Sequence, residues 1–282
     1  MYTAIHDAPW LSIRDRSLLQ RFCSRTGIII NGTRETIINS VTAAFRYVPY
    51  ENLTKIVKAE GVISAASAMR CPDEVLNDFL TLGTGGTCFS LTAAVVAVFD
   101  VLGIEAYPVL ADRHYGPDTH CGLVIVQPEN GKMLLLDPGF LLFTPIEITP
   151  EHIQSIETGF SRIELCPVAG GTQLELYTIV KNNRKHRLTF KLQPISDDVF
   201  GTAWKQSFAF EMMTYPVLTR QTKGSHQYLQ GNVLAVRDAV RTVRTQLTPE
   251  MQLACMTATF GIHKDIAVKA LEITAYGRRT AG

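Results

Sequence analysis

The run from Phe89 to Leu102 is apolar nearly all round. A helix written this way has no wet face, so it has to lie at the centre of its domain. Its most apolar stretch, Leu91–Phe99, stops at Asp100 and is far too short to span a bilayer. The chain has 282 residues, 46% hydrophobic and 19% charged, enough to enclose such a helix in a sizeable core and too apolar for disorder. Lys+Arg 27 against Asp+Glu 26 leaves no excess charge to grip a phosphate backbone or an anionic membrane. Asp7 and Asp15 interrupt the first apolar residues, so no signal peptide is read there and a cytoplasmic protein is expected.

The first hundred residues read as helical. Thr33 is placed to cap a helix whose apolar positions Ile37, Ile38, Val41, Ala44, Phe45 and Val48 recur at helical spacing, with Pro49 ending it. Pro72-Asp73-Glu74 announces a second helix, striped by Val75, Leu76, Phe79 and Leu80 and broken over Gly83 to Gly86. The period then changes. Cys121–Gln127 and Lys132–Asp137 are short apolar runs around Pro128-Glu129-Asn130-Gly131, a strong turn signal. Leu174–Val180 and His186–Leu192 repeat the pattern around Lys181-Asn182-Asn183-Arg184, which predicts a small antiparallel sheet or barrel. The C-terminal stretch is mixed, with helices predicted from Thr248-Pro249-Glu250 to Gly261 and over Lys264–Tyr276.

Six cysteines, Cys23, Cys71, Cys88, Cys121, Cys166 and Cys255, are scattered without a CxxC pair, which speaks against a structural metal or a disulfide framework. Most read as small buried hydrophobes, and Cys121 is expected to pack in a core on the strand face opposite His120. Cys88 differs, because Gly85-Gly86-Thr87-Cys88 stands where a loop becomes the buried helix. A thiol at a helix N-terminus feels the positive end of the dipole, and beside an imidazolium its pKa falls from ~8.5 to ~3.5–7.5. The two glycines are expected to let a substrate approach the backbone. Taken alone, Cys88 fits a core cysteine after a tight turn better than a nucleophile. The hairpin changes that balance. Pairing across Pro128–Gly131 makes paired residue numbers sum to an odd value, so His120 and Asp137 share a face. With Glu129-Asn130 at the turn centre they are diagonal neighbours, ~7–8 Å apart at Cα, and a slipped register separates them by one row more. A thiol with an acid-oriented imidazole is the constellation of nucleophilic thiol catalysis. His6, His152, His186, His226 and His263 have no sequence partners, and His114 falls in a loop near the site. Neither a Walker-type loop nor a dinucleotide glycine fingerprint is present.

At these residues the chain resembles the arylamine N-acetyltransferase family, as a divergent member. The resemblance rests on Pro49-Tyr50-Glu51-Asn52-Leu53, Gly85-Gly86-Thr87-Cys88-Phe89, Thr119-His120 and Asp137-Pro138-Gly139-Phe140, in order along nearly the whole chain. Leu18-Leu19-Gln20-Arg21, Gly231-Asn232 and Phe260-Gly261-Ile262 add to it. Four positions depart from the family pattern: Thr84 for arginine, Ser90 for glutamate, Pro138 for a small aliphatic residue and Leu141 for glycine. An Arg and a Glu missing together read as one ion pair removed, with no orphan charge left behind. Glu51 is expected to anchor the N-terminal helix through Arg21.

The resemblance implies an α+β fold with a cysteine-protease-like core. A helical domain over 1–103 would carry the nucleophile, an antiparallel β-barrel over 104–200 the His and Asp, and 201–282 would form a C-terminal α/β lid. It implies Cys88, His120 and Asp137 as a catalytic triad, with Tyr50, Thr119 and Phe140 at the substrate. Acetyl-CoA would be cosubstrate rather than resident cofactor, lying between barrel and lid, and an amine the acceptor; no metal, nucleic acid or membrane partner is implied. The other readings are an amide synthase of the same family acting on a carrier-bound acyl chain, a cysteine hydrolase or transglutaminase-like enzyme, and a non-catalytic binding protein on the same fold.

Overall fold

The computed structural model of the chain describes residues 8–158, 161–180, 183–222 and 224–280, with side chains as far as residue 275. His6 and the turn residues Lys181 and Asn182 lie outside the described residues. Helices α1 (Arg16–Thr26) and α2 (Arg34–Phe45) come first, then strand β1 (Tyr50–Glu51) and helices α3 (Leu53–Glu60), α4 (Ala65–Ala68), α5 (Pro72–Leu82) and α6 (Cys88–Val101). Strands β2 (Ala106–Arg113), β3 (Gly116–Gln127), β4 (Lys132–Asp137) and β5 (Leu142–Glu147) follow. The sheet continues with β6 (Gln154–Glu157), β7 (Arg162–Val168), β8 (Gln173–Val180) and β9 (Asn183–Lys191). Helix α7 (Asp197–Gln206) leads into β10 (Val217–Thr222), β11 (Ser225–Gln230), β12 (Val233–Arg237) and β13 (Thr242–Gln246), and the chain closes with α8 (Pro249–Ala254) and α9 (Lys264–Thr280).

Local chemistry sets the helix ends. Thr33 Oγ1 accepts from the Thr36 amide at 3.2 Å and starts α2, which ends at Phe45, three residues before the predicted stop at Val48. Pro72 occupies the first turn of α5, Cys71 N donates to Glu74 Oε2 at 2.9 Å, and Gly83 closes the helix at φ 65°. Every residue of α6 from Cys88 to Phe99 is buried, as its all-round apolar sequence requires. Phe89 stacks on Trp204 with ring centroids 6.2 Å apart, so α7 covers one flank of α6 while β2 and β3 pack on another.

Eight antiparallel strands run in the order β5-β4-β3-β2-β9-β8-β7-β6. Val109, Val124, Leu135, Ile146, Leu165, Leu176 and Phe190 come from seven of these strands and share one apolar cluster, so the sheet curls round its own side chains. Among the described residues its edge strands β5 and β6 do not pair with each other. The expected barrel is therefore an open half-barrel, closed by packed side chains and not by a last ladder. The second predicted hairpin is present with a tighter turn than expected, since Asn183 and Arg184 already pair with Val180 and Ile179.

A second sheet, in the order β1-β10-β11-β12-β13, joins Tyr50 and Glu51 to the C-terminal strands through Tyr50↔Thr219 and Glu51↔Leu218. Asn52, fully buried, locks that junction. Its amide nitrogen donates to the Met212 and Tyr215 carbonyls at 2.5 and 2.8 Å, and its Oδ1 accepts from Val217 N at 2.7 Å. Among the described residues no helix is long and apolar enough to cross a membrane.

On β11, burial and the charge of Arg237 hold His226 down at about 4, well below its ordinary value. The unfolded chain therefore takes a proton between pH ~6.5 and 4 that the folded chain refuses, and stability falls as pH drops through that window. Thermal unfolding of wild type and His226→Gln is expected to show a gap at pH 7 that narrows by pH 4.5. A gap independent of pH overturns this assignment.

Candidate active site

The nucleophile loop is held from outside itself. Tyr50 and Gly86 form a parallel bridge, with Gly86 N donating to Pro49 O at 3.2 Å and Glu51 N donating to Gly86 O at 3.0 Å. The two glycines make room for neighbours within the chain, a use the sequence reading did not foresee. A Cβ on Gly85 would lie 1.9 Å from Pro49 O, and one on Gly86 would lie 2.1 Å from Ser90 Oγ. Thr87 then caps α6 and Cys88 takes its first position, 6% exposed.

The half-barrel brings His120 and Asp137 to this helix end. Strands β3 and β4 pair in the register with Glu129-Asn130 at the turn centre, as Leu123↔Leu136 and Gln127↔Lys132 show. His120 and Asp137 sit on the diagonal of that register, and His120 Nε2 donates to Asp137 Oδ2 at 2.7 Å. The other carboxylate oxygen accepts from Phe140 N at 2.9 Å, so the short helical turn Pro138–Phe140 fixes the plane of the acid. His120 is 1% exposed and Asp137 0%. Gly139 presses against the nucleophile: a Cβ there would meet Cys88 Cβ at 2.5 Å and His120 Cε1 at 3.0 Å.

The electrostatics couple these groups. A hydrogen bond with Cys121 holds the Cys88 thiol well below its ordinary range, and the His120 charge and hydrogen bond and the Arg113 charge add to it, against burial. Burial pushes Cys121 well above its own range, and its bond to Cys88 adds to this, so Cys88 is the more acidic thiol of the two. For His120, burial is the largest influence and works against the charge, with Arg113 adding to it, but the charge and hydrogen bond of Asp137 and the charge of Cys88 together raise the imidazole above its usual value. Burial, with the charge of Cys88, pushes the Tyr50 phenol up.

Cys121 packs against α6, where its Sγ lies 3.6 Å from Thr92 Oγ1. It does lie in the core on the strand face opposite His120, yet it also reaches Cys88, because α6 packs on β3. Thr119 Oγ1 donates to the Gly116 carbonyl at 2.9 Å, and Phe140 packs partly buried on the half-barrel cluster. His114 and Tyr115 form the two-residue turn between β2 and β3. Among the described residues no three His, Cys, Asp or Glu side chains gather as a metal site, and all six cysteines are free thiols.

Arg70 carries a role the sequence did not disclose. Its guanidinium is 4% exposed and donates to the Gly85 carbonyl, to Thr54 Oγ1 at 2.7 Å and to Asp78 Oδ2 at 2.8 Å, with Glu51 Oε1 at 3.8 Å. Glu51 accepts from Thr54 N and Oγ1 at 2.9 and 2.6 Å. This corrects the expected Glu51–Arg21 pair, since Arg21 lies on the exposed face of α1 and donates to Ser17 Oγ at 3.2 Å. A guanidinium is therefore present beside the glycine pair although Thr84 stands before it. Thr84 Oγ1 is buried with no hydrogen-bond partner among the described residues. Leu141, where the family pattern has glycine, takes the left-handed turn at φ 62°.

No protein-family model and no curated protein sequence matches the chain. Solved structures do. The arylamine N-acetyltransferase from Mycobacterium abscessus superposes with a TM-score of 0.76 at 20% identity, over 91% of this chain and 94% of that one. The enzyme from M. tuberculosis gives 0.72 at 19% identity, over 89% and 99%. The NAT3 enzyme from Bacillus cereus, described as having a Cys-His-Glu catalytic triad, gives 0.68 at 16% identity, over 89% and 100%. The chain thus has the fold of the arylamine N-acetyltransferases, the family its motifs resemble.

Arg70→Leu would leave Glu51 buried without its cation and the Gly85 carbonyl without its donor. Breaking a buried pair from one side costs about 3–5 kcal/mol, so a large fall in thermal stability is expected by calorimetry. A Tm near wild type would mean that Arg70 does not hold the loop.

Proposed function

We propose that the chain is a cysteine acyltransferase that moves an acetyl or related acyl group from a CoA thioester to an arylamine- or hydrazine-type amine. The observation that carries this reading is the Cys88 thiol at the start of a buried helix, against an imidazole held by a buried carboxylate. Asp137 only accepts hydrogen bonds, so it keeps the His120 proton on Nε2 and makes Nδ1 the acceptor. Nδ1 takes the Cys88 proton, and the resulting thiolate attacks the thioester carbonyl. The C–S bond to CoA breaks, the donor thiolate leaves with the His120 proton, and the acyl group stays on Cys88. An amine then attacks the acyl-cysteine, loses a proton to His120 and releases Cys88. First-turn amides of α6 have no intrahelical acceptor and supply an oxyanion site for both steps. Tyr50, Thr119 and Phe140 line the acceptor side, and the donor lies between half-barrel and C-terminal sheet. A reduced thiol nucleophile suits a cytoplasmic setting.

Mixed with acetyl-CoA alone, the protein is expected to gain one acetyl group by intact mass. The adduct should be absent in Cys88→Ser and lost on adding an arylamine or hydrazine. Steady release of acetate without amine would make the protein a hydrolase, and reaction only with longer acyl thioesters an amide synthase. No adduct with any thioester would remove the acyltransferase reading.

Asp137→Asn is expected to keep the fold while slowing Cys88 acylation by about 10⁴-fold, the scale seen when an imidazole loses its orienting acid. Stopped-flow release of CoA checks this. Wild-type acylation at wild-type stability would place Asp137 outside the reaction.

A further inference from the structure

Arg113 stands at the end of β2, and its side chain belongs to the same site as the thiol and the imidazole. The β2–β3 register pairs Ala111 with His120, so Arg113, two residues on, shares that face. The register then shifts, and Arg113 pairs with Gly116 across a two-residue turn. Its Nη2 lies 2.9 Å from His120 Nδ1. A guanidinium only donates and Asp137 only accepts, so in this arrangement the imidazole is neutral, with its proton on Nε2 and Nδ1 occupied by Arg113.

Arg113 also hydrogen-bonds the Tyr115 phenol, and two facts still leave its guanidinium incomplete. Arg113 Nε is buried with no hydrogen-bond partner. Among the described residues no carboxylate lies within ion-pair distance of Arg113, because the nearby acids are engaged elsewhere. Asp137 serves His120 and Phe140 N, while Asp112 and Asp118 both hold Lys191 at 2.7 Å. A buried donor without an acceptor is costly, and a guanidinium fork fits a carboxylate with two parallel bonds.

We propose that Arg113 is a carboxylate-binding residue: an anionic group on the substrate draws its guanidinium off His120 Nδ1 and frees that nitrogen to take the Cys88 proton. The substrate then carries a carboxylate a few bonds from the reacting carbon. Either a dicarboxylic monothioester donor or an amino-acid-like or aminobenzoate acceptor supplies it. Binding and activation are one event, because the imidazolium that forms can no longer accept from Arg113. The proposal rests on Cys88 as the nucleophile, but its primary test does not need acyl transfer.

That test compares alkylation of Cys88 by iodoacetate and by iodoacetamide, followed by peptide mass. The iodoacetate/iodoacetamide rate ratio at Cys88 is expected to exceed that of glutathione by about tenfold or more, the scale of one charge-assisted hydrogen bond. Arg113→Met should bring the ratio back toward glutathione, Arg113→Lys should keep part of it, and Arg16→Met, on the exposed face of α1, should keep all of it. Two panels then locate the carboxylate. Malonyl- and succinyl-CoA are compared with propionyl- and butyryl-CoA in acylation of Cys88, and 4-aminobenzoate with 4-aminobenzamide in deacylation. Selective loss in Arg113→Met of the charged member in the first panel assigns it to the donor, in the second to the acceptor. A ratio that Arg113→Met leaves within twofold of wild type overturns the proposal whatever the panels show. A ratio that falls while no thioester ever acylates Cys88 removes the acyltransferase reading and leaves the anion site standing.

Discussion

The parallel bridge between Tyr50 and Gly86 holds the one end of α6 from which chemistry is possible. Helix α6 is buried from Cys88 to Phe99, so that stretch has no exposed face to offer a ligand, and its first residue carries the thiol. Where that end sits depends on the backbone of Pro49–Glu51, and Asn52 carries the same segment into the C-terminal sheet through three hydrogen bonds. The nucleophile loop, the buried helix and the C-terminal strands therefore register on four consecutive residues, Pro49 to Asn52. The glycines of the loop belong to this clasp, because any side chain on Gly85 would strike Pro49 O.

Against this fixed helix end the half-barrel brings a hydrogen-bonded pair with almost no solvent access. Burial alone would keep Cys88 and His120 neutral. The bond from Cys121, the charge and hydrogen bond of His120 and the charge of Arg113 tip the thiol toward thiolate, and the Asp137 carboxylate supports this through His120. Arg113 acts in two directions, since its charge favours the thiolate while its contact with Nδ1 disfavours the imidazolium. The resting site thus holds two competing claims on one nitrogen, and whichever group satisfies the guanidinium decides between them.

Much of the architecture was legible from spacing. The wholly apolar run after Cys88 specified a central helix, Pro72-Asp73-Glu74 its predecessor, and the odd pairing sum across Pro128–Gly131 put His120 beside Asp137. These are local signals, governed by period and turn chemistry. What escaped depends on tertiary geometry. Arg113 reaches His120 only because β3 carries extra residues opposite Asp112, held by Asp118 at φ 55° and by Lys191 from β9. No pattern within the hairpin announces a clip supplied from seventy residues away. Cys121 was read on its strand face correctly and on its neighbour incompletely, since strand alternation says nothing of where a helix begins. The expected barrel is met as a half-barrel for a related reason: hairpin signals specify adjacent pairs, not whether the first and last strands meet.

The departures from the family motif show how a site can keep its charges while changing the residues that bring them. Thr84 removes the arginine from beside the glycine pair, yet Arg70, arriving from the segment between α4 and α5, donates to the Gly85 carbonyl and faces Glu51 across 3.8 Å. The sequence reading of one ion pair cleanly removed was therefore incomplete, because a guanidinium is still present and has a different address. Ser90 fits this exchange: a small side chain fills the space beside Gly86, where a Cβ would lie 3.5 Å from Arg70 Nη1. Asp78 on α5 takes the second edge of the guanidinium, so Arg70 is tied to two acids and a carbonyl and is not available to a ligand. Arg113 is the opposite case, with no acid within ion-pair distance among the described residues and one nitrogen unpartnered. Two arginines near one thiol, one saturated and one not, divide the work: Arg70 holds the loop, and Arg113 is left facing the substrate.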